Sequence, residues 1–397
     1  MQLTQTGYDS SLLEKWRMEM VSESNIEGLL TEYSALFCNV IKISNQRVHF
    51  GNYLRGLMSE LPRKSVEPIA LSFVGENGVR SMQQFMKRSP LDDGAILNEY
   101  QNQLATRISS ENGMLSVDGS DSVKKGTHSV GVGRQYCGTI GKVDSCQAGV
   151  FTAYAGNNGY GLVDRELYFQ EKWFSDEYKD QHENCGVPNE KVFQTKNEIA
   201  LAQIKSIVAK NLFHIKWFGF DSAFGCDHNF LDSLPENIPY FAAIKSNERI
   251  FLKDDLVMVK SIAENSEIPW GRAKVGEGSK GTIYADVKIL RATACRTVDG
   301  QATRHCNIWL YIRKYENGDI KFFISNASEE TTEQELHEAA TLRWPIEQCF
   351  QECKSHLGME HYEGRSYTGL LRHWLFVMIA HLFTTSLRIT LKKQEFL

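Results

Sequence analysis

Three acids stand far apart in the chain: Asp118 in "LSVDGS", Asp221 in "GFDSAFG" and Glu347 in "RWPIEQC". The two aspartates close apolar runs that read as strands, and the glutamate opens a helix. In an α/β sheet, side chains at neighbouring strand ends face a shared crevice. Carboxylates gathered there repel one another unless a cation lies between them. Mg²⁺ prefers oxygen ligands and keeps several waters, so one or two carboxylates per ion plus substrate phosphates is its usual arrangement. With two ions roughly 4 Å apart, one activates an attacking oxygen and the other stabilises a leaving oxygen.

The spacing around Glu347 decides between it and its neighbour Glu352. Pro345 fits the first position of a helix, where no backbone donor is lost, which puts Glu347 in the first turn. The helix dipole favours a negative charge there. At about 100° per residue, Lys354 returns to nearly the face of Glu347, whereas Glu352 is turned roughly 140° away. Glu347 is therefore the expected metal ligand, with Lys354 and Arg343 beside it to hold phosphate.

These residues need a scaffold. Residues 1–105 read as an all-helical N-terminal domain, with apolar residues three and four apart in "SLLEKWRMEM", "IEGLLTEYSALFCNVI" and "AILNEYQNQLATRI". Within it, "SVEPIALSFVGENGVRSMQQFMKRSP" offers a short helix, a glycine turn and a second helix bearing Arg80, Gln83, Gln84, Lys87 and Arg88. That pattern fits a DNA-reading helix-turn-helix or the solvated face of a surface helix.

Residues 106–246 change texture. "GMLSVDG", "HSVGVGRQYCG" and "CQAGVFTAYAG" read as three meandering strands. The helix "NEIALAQIKSIVAKN" and the strand "IKWFGFDS" follow, then a second helix and strand, "NFLDSLPEN" and "PYFAAIKS". Strands joined through helices pair in parallel, so the expected core is a mixed α/β sheet. Residues 247–326 read as a β-rich insertion, with Asn317-Gly318 as a hairpin turn. Residues 327–397 return to helix. They start at a capping-box spacing of Thr332 and Glu335, are broken at Pro345, have Gly358 where a C-cap belongs, and end in a long amphipathic helix over about 368–391 that should pack on the core.

The 397 residues, 42% of them hydrophobic and 23% charged, suffice for a sizeable core in more than one domain. A net charge of -5 lends no support to a nucleic-acid partner, so such a reading must rest on local patches. The polar opening and nine irregularly spaced cysteines point to reduced thiols and the cytoplasm, and no paired CxxC suggests zinc. The run "WLFVMIA" is too short to span a bilayer and reads as a buried helix, with no membrane partner expected.

At this point "VDGS", "DSAFG" and "RWPIEQCFQECKSHLG" resemble the three catalytic segments of the DDE transposases of bacterial insertion sequences, in the branch with a tyrosine, arginine, glutamate, lysine signature. Arg343, Glu347 and Lys354 match its later part, while Ala340 fills the tyrosine position. "KKGTHSVGVGRQYCGTIGKVDSCQAGVF" and "HYEGRSYTGLLRHW" carry the resemblance over residues 113–385. It implies an RNase H-like mixed sheet with flanking helices, interrupted by the β-rich insertion.

The resemblance also implies cleavage at transposon ends and attack of the freed 3′-OH on target DNA. Two Mg²⁺ ions, with Mn²⁺ able to substitute, would sit on Asp118, Asp221 and Glu347. Arg343 and Lys354 would contact phosphates near the scissile bond. Lys124 and Lys125 would track the backbone or form a solvated loop. Trp270 would receive a flipped base or simply pack. The implied partners are double-stranded DNA, as terminal inverted repeats and target, and a second copy of the chain holding the other end. Two rivals are a catalytically inactive, transposase-derived DNA-binding protein and an RNase H-like nuclease that cuts without joining. The cytoplasmic setting would be bacterial, with nucleoid association on DNA.

Overall fold

The computed structural model describes residues 23–278 and 281–394; the helix expected at "SLLEKWRMEM" lies outside them. Among the described residues five helices come first: α1 (Glu23–Ala35), α2 (Ser44–Met58), α3 (Val66–Phe73), α4 (Val79–Arg88) and α5 (Asp93–Ile108). Asp92 caps α5 by accepting from the Ala95 N–H at 2.9 Å. Ile96, Tyr100, Leu104 and Ile108, four apart, are its buried face. Between α3 and α4 the chain turns at Gly75, whose φ of +92° suits glycine, and passes through a single 3-10 turn. A short helix, a glycine turn and a second helix thus follow one another in that order. Met82, Phe85 and Met86 of α4 are buried, while Arg80, Gln83, Gln84, Lys87 and Arg88 form an exposed row.

Next come β1 (Met114–Val123), β2 (Gly133–Cys137), β3 (Lys142–Gly156), β4 (Gly159–Tyr168), α6 (Lys179–Asn184), α7 (Lys196–Lys210), β5 (Trp217–Phe220), α8 (Ser222–Gly225), α9 (His228–Asp232) and β6 (Tyr240–Ile244). β4, β3 and β1 are antiparallel neighbours, and β5 and β6 continue parallel to β1. This is the mixed RNase H-like order expected. The strand assignment is corrected in one place. "HSVGVGRQYCG" yields only the five-residue β2 on the outer half of β3, and the third long strand is β4, "GYGLVDRELY". Its glycines and the run Asp164, Arg165, Glu166 obscure the alternation. In the fold Arg165 is buried and donates through Nε to the Leu371 carbonyl at 3.3 Å.

The following strands are β7 (Arg249–Leu252), β8 (Asp255–Met258), β9 (Gly271–Gly278), β10 (Gly281–Val298), β11 (Gln301–Lys314) and β12 (Ile320–Ser325), with α10 (Val259–Glu264) after β8. The segment is β-rich, and it prolongs the core sheet: β12 pairs antiparallel with β6, β11 with β12 and β10 with β11. The chain closes with α11 (Glu333–Leu342), α12 (Pro345–Ser355) and α13 (Tyr367–Gln394). Thr332 and Glu335 form the expected capping box.

From Arg372 to Thr385 α13 is buried on all sides rather than on the one stripe of an amphipathic helix, because it is sandwiched. Trp374 meets Phe151 of the sheet at 5.0 Å between ring centroids, and Phe376 meets Phe50, Tyr53 and Phe85 of the N-terminal helices. It is long and apolar enough to cross a membrane, yet 89% of that stretch is buried inside the protein.

His373 lies in this sandwich. Its Nε2 faces the Gly358 carbonyl at 3.0 Å, which can only accept, so Nε2 carries the proton and Nδ1 accepts from the Tyr53 hydroxyl at 2.9 Å. Burial pushes its pKa down from 6.5 to about 3. The unfolded chain therefore binds a proton below about 6.5 that the folded chain refuses, and stability falls as pH drops through that window. We expect this to add up to about 1.4 kcal/mol per pH unit to acid destabilisation. Urea titrations of wild type and His373→Asn at several pH values check it. An equally steep slope in the variant would rule the histidine out.

Candidate active site

The first two acids are set by strand register. β1 and β5 run parallel as far as Val117 opposite Phe220, so Asp118 and Asp221 are the next residues of two adjacent strands. Asp118 does not end its strand as the sequence suggests. β1 continues to Val123 against β3, and it is the pairing with β5 that stops. Asp221 caps α8, its Oδ1 accepting from the N–H groups of Ala223 (3.0 Å) and Phe224 (3.2 Å). The cap fixes the carboxylate without using Oδ2. Asp118 Oδ1 accepts from the Gly119 N–H at 2.7 Å.

Glu347 comes from α12, with Pro345 at the helix start as expected. It shares with Asp118, Asp221, Ser222, Lys321 and Arg343 a cleft of about 470 Å³. Arg343 Nη2 lies 3.1 Å from Glu347 Oε1. Burial, and then the Asp221 charge, raise the Asp118 pKa from 3.8 to about 7; the Gly119 N–H and Arg343 oppose the rise and Glu347 adds to it. The carboxylates thus repel one another in a half-buried place, with one guanidinium to offset them.

These are hard oxygen donors with unbalanced negative charge, which is the chemistry of a divalent-cation site. Asp118 and Asp221 fit such a role directly, whereas Glu347 is turned onto Arg343. Among the described residues no group of three or more His, Cys, Asp or Glu side chains is assembled around one point.

Asp121, three residues beyond Asp118, faces elsewhere: its Oδ2 accepts from the Gly138 N–H at 2.8 Å. Glu352 is also excluded, as its helical angle implies. It is buried, with Oε1 accepting from the Tyr160 hydroxyl and Oε2 facing His381 Nε2, both at 2.9 Å, while Arg388 stacks 4.7 Å from the Tyr160 ring. Glu352→Gln keeps the shape and removes the charge. We expect a loss of about 2 kcal/mol, the scale of a charge-assisted hydrogen bond, with DNA cleavage per folded molecule unchanged. Urea denaturation beside a cleavage assay checks both, and lost cleavage in a stable variant would reverse the assignment.

The other expected residues are dispersed. Lys354 Nζ is paired with Glu360 Oε1 at 2.8 Å and lies 3.5 Å from the Thr139 hydroxyl, outside the cleft lining. Lys124 Nζ donates to the carbonyls of Glu360 (3.3 Å) and Tyr362 (3.0 Å), and Lys125 is exposed. Trp270 is half-buried, with Lys288 Nζ 4.6 Å and Lys314 Nζ 5.9 Å from its ring centroid. Ala340 is buried in a second apolar cluster with Phe241, Tyr311 and Phe323. Its β-carbon belongs to that core rather than to the cleft.

Sequence reasoning missed Lys321, Ser222 and Ser246 in the cleft. Lys321 stands near the start of β12, ahead of the apolar run Phe322, Phe323, Ile324, where a lysine reads as solvent-facing. Only the pairing of β12 with β6 brings it to the acids.

A mixed sheet with aspartates where parallel strands part, faced by a helix-borne glutamate, defines an α/β protein with a three-carboxylate cleft. The chain belongs to the DDE superfamily endonuclease family, whose model matches residues 36–301, a span that includes Asp118 and Asp221 and stops short of Glu347. No curated protein matches the chain. Among solved structures, the piggyBac transposase in a synaptic complex with hairpin DNA is similar at a TM-score of 0.40 and 11% identity, over 97% of this chain and 71% of that one.

Proposed function

We propose that this protein is a DNA transposase that cleaves at transposon ends with divalent metal ions and transfers the 3′-OH into target DNA. The observation that carries the reading is the meeting of Asp118, Asp221 and Glu347 in one cleft, in a chain of an endonuclease family. Asp118 and Asp221 would hold Mg²⁺, with Glu347 completing the set; the ions would supply activation of the attacking oxygen and charge stabilisation at the leaving oxygen. The chain's own contribution is positioning. Register and the α8 cap fix the aspartates, and Arg343 balances Glu347 and offers its remaining donors to a phosphate.

The row of Arg80, Gln83, Gln84, Lys87 and Arg88 on α4 supports recognition of the terminal repeats. The spacing of three and four puts all five on one exposed face, and none has an acid partner among the described residues. Two ends held together imply a dimer on DNA.

The test is an excision and strand-transfer assay with purified protein, Mg²⁺ or Mn²⁺ and DNA bearing the element's flanking ends, with wild type beside Glu347→Gln. Cleavage and joining by wild type alone supports the proposal. Binding without cleavage would make the chain a DNA-binding descendant, cleavage without joining a nuclease, and equal activity in both proteins would remove Glu347 from the site.

A further inference from the structure

The carboxylate cleft adjoins a second one across Ser222. That neighbour, also about 470 Å³, is lined by Ser222, Cys226, His228, Asn229, Lys245 and Arg296, with Asp227 at its wall. Most of its charges are matched. Arg296 Nη2 lies 2.7 Å from Asp232, His228 Nε2 lies 3.1 Å from Glu248, and Asp227 accepts from Asn197 at 2.6 Å. Lys245 has no ion pair among the described residues, and neither does Lys321 in the carboxylate cleft.

The two lysines stand just past the end of one strand pairing. β6 and β12 pair antiparallel up to Phe322 opposite Ile244, and Lys321 and Lys245 are the next residue along each chain. On its other side Lys321 stands opposite Arg313 of β11, which is buried with its guanidinium 4.9 Å from the Phe323 ring centroid. Like charges directly opposite across a sheet destabilise it. Arg313 is taken up by the Tyr315 hydroxyl and the Ala340 carbonyl, which leaves Lys321 and Lys245, each on a cleft wall and without an ion pair among the described residues, as the two cations that a polyanion lying across both clefts would match.

We propose that Lys321 and Lys245 form a clamp for the DNA backbone. Lys321 takes a phosphate in the carboxylate cleft, and Lys245 takes the next phosphate of the same strand in the adjoining cleft beyond Ser222. The clamp rests on the DNA-processing reading above and adds to it the path by which the strand leaves the acids. Its contacts are to phosphate alone, so they position the strand without reading sequence.

The experiment measures affinity for a random-sequence DNA duplex by fluorescence anisotropy over a salt series, with Ca²⁺ in place of Mg²⁺. Wild type is compared with Lys321→Gln, Lys245→Gln, the double variant and Lys321→Arg. Each loss to Gln is expected to flatten the slope of log affinity against log salt by about 0.9, additively in the double variant. Lys321→Arg should keep the wild-type slope. Melting temperatures of the Gln variants should equal or exceed wild type, since a repulsion is removed, which separates the effect from misfolding. A double variant with the wild-type slope overturns the clamp. Wild-type cleavage in Mg²⁺, measured alongside, tells the two readings apart: cleavage with an unchanged slope in the double variant removes the clamp and leaves the transposase, and flattened slopes without wild-type cleavage remove catalysis and leave the clamp.

Discussion

Asp118→Asn is expected to slow DNA cleavage on the order of a thousandfold, the scale on which a preorganised electrostatic group acts in a transition state, and at the same time to make the metal-free protein more stable. Both effects have one cause. The carboxylate is held in a half-buried place beside Asp221, which raises its pKa to about 7. An acid whose folded pKa lies above its unfolded value costs stability as pH rises from about 3.8 through 7, because the folded chain gives up its proton less readily than the unfolded one. Above that window the cost is fully present. The side-chain amide of the variant would keep an oxygen to accept from the Gly119 N–H, which Asp118 binds at 2.7 Å, and would carry no charge. We therefore expect a gain of about 2 kcal/mol near pH 8 in EDTA, shrinking toward nothing near pH 4. Urea denaturation across pH, beside cleavage rates in Mg²⁺, measures both. A variant that cleaves like wild type sinks the site, and one that gains no stability means that Asp118 is not under repulsion from its neighbours.

That conflict was only half legible in the sequence. The order of strand, acid, strand, acid, helix, acid set Asp118, Asp221 and Glu347 along one cleft, because Pro345 marks its helix start and Asp221 its strand end locally, whereas Asp118 lies inside a strand whose pairing, not its end, sets the position. Helical angle likewise separated Glu347 from Glu352, and the buried network of Tyr160 and His381 around Glu352 shows what its other face meets. What the local pattern did not show was which partner takes a side chain. Lys354 lies about where its spacing puts it on the helix, yet Glu360, six residues on, takes its ammonium; Lys124 is drawn to carbonyls more than two hundred residues away. β4 was overlooked because Asp164 and Arg165 look like loop residues until Arg165 finds the Leu371 carbonyl. Lys321 was overlooked because no local pattern says which strand lies beside β12.

Arg372→Ala is expected to cost about 4 kcal/mol, the scale of breaking a buried ion pair and leaving its partner alone, and to weaken DNA binding with it. The side chain is 4% exposed. Its Nε donates to Asp93 at 2.7 and 3.0 Å, Nη1 to the carbonyls of Phe85 and Met86, and Nη2 to those of Ser89 and Leu91. One guanidinium on α13 thus satisfies the carbonyls at the C-terminal end of α4, the loop behind it and the first turn of α5. Truncation leaves those carbonyls unpaired and the half-buried Asp93 without its cation, and it frees the end of the helix that carries Lys87 and Arg88. Lysine is no substitute, because three donors at a single point cannot follow a planar fork, so Arg372→Lys should still lose about 2 kcal/mol. Urea denaturation gives the stabilities, and anisotropy with duplex DNA gives the binding. If Arg372→Lys matches wild type in both, the fork geometry is irrelevant. If Arg372→Ala loses stability and binds DNA as before, the α4 row is not what α13 holds in place, and the contact with DNA lies elsewhere on the chain.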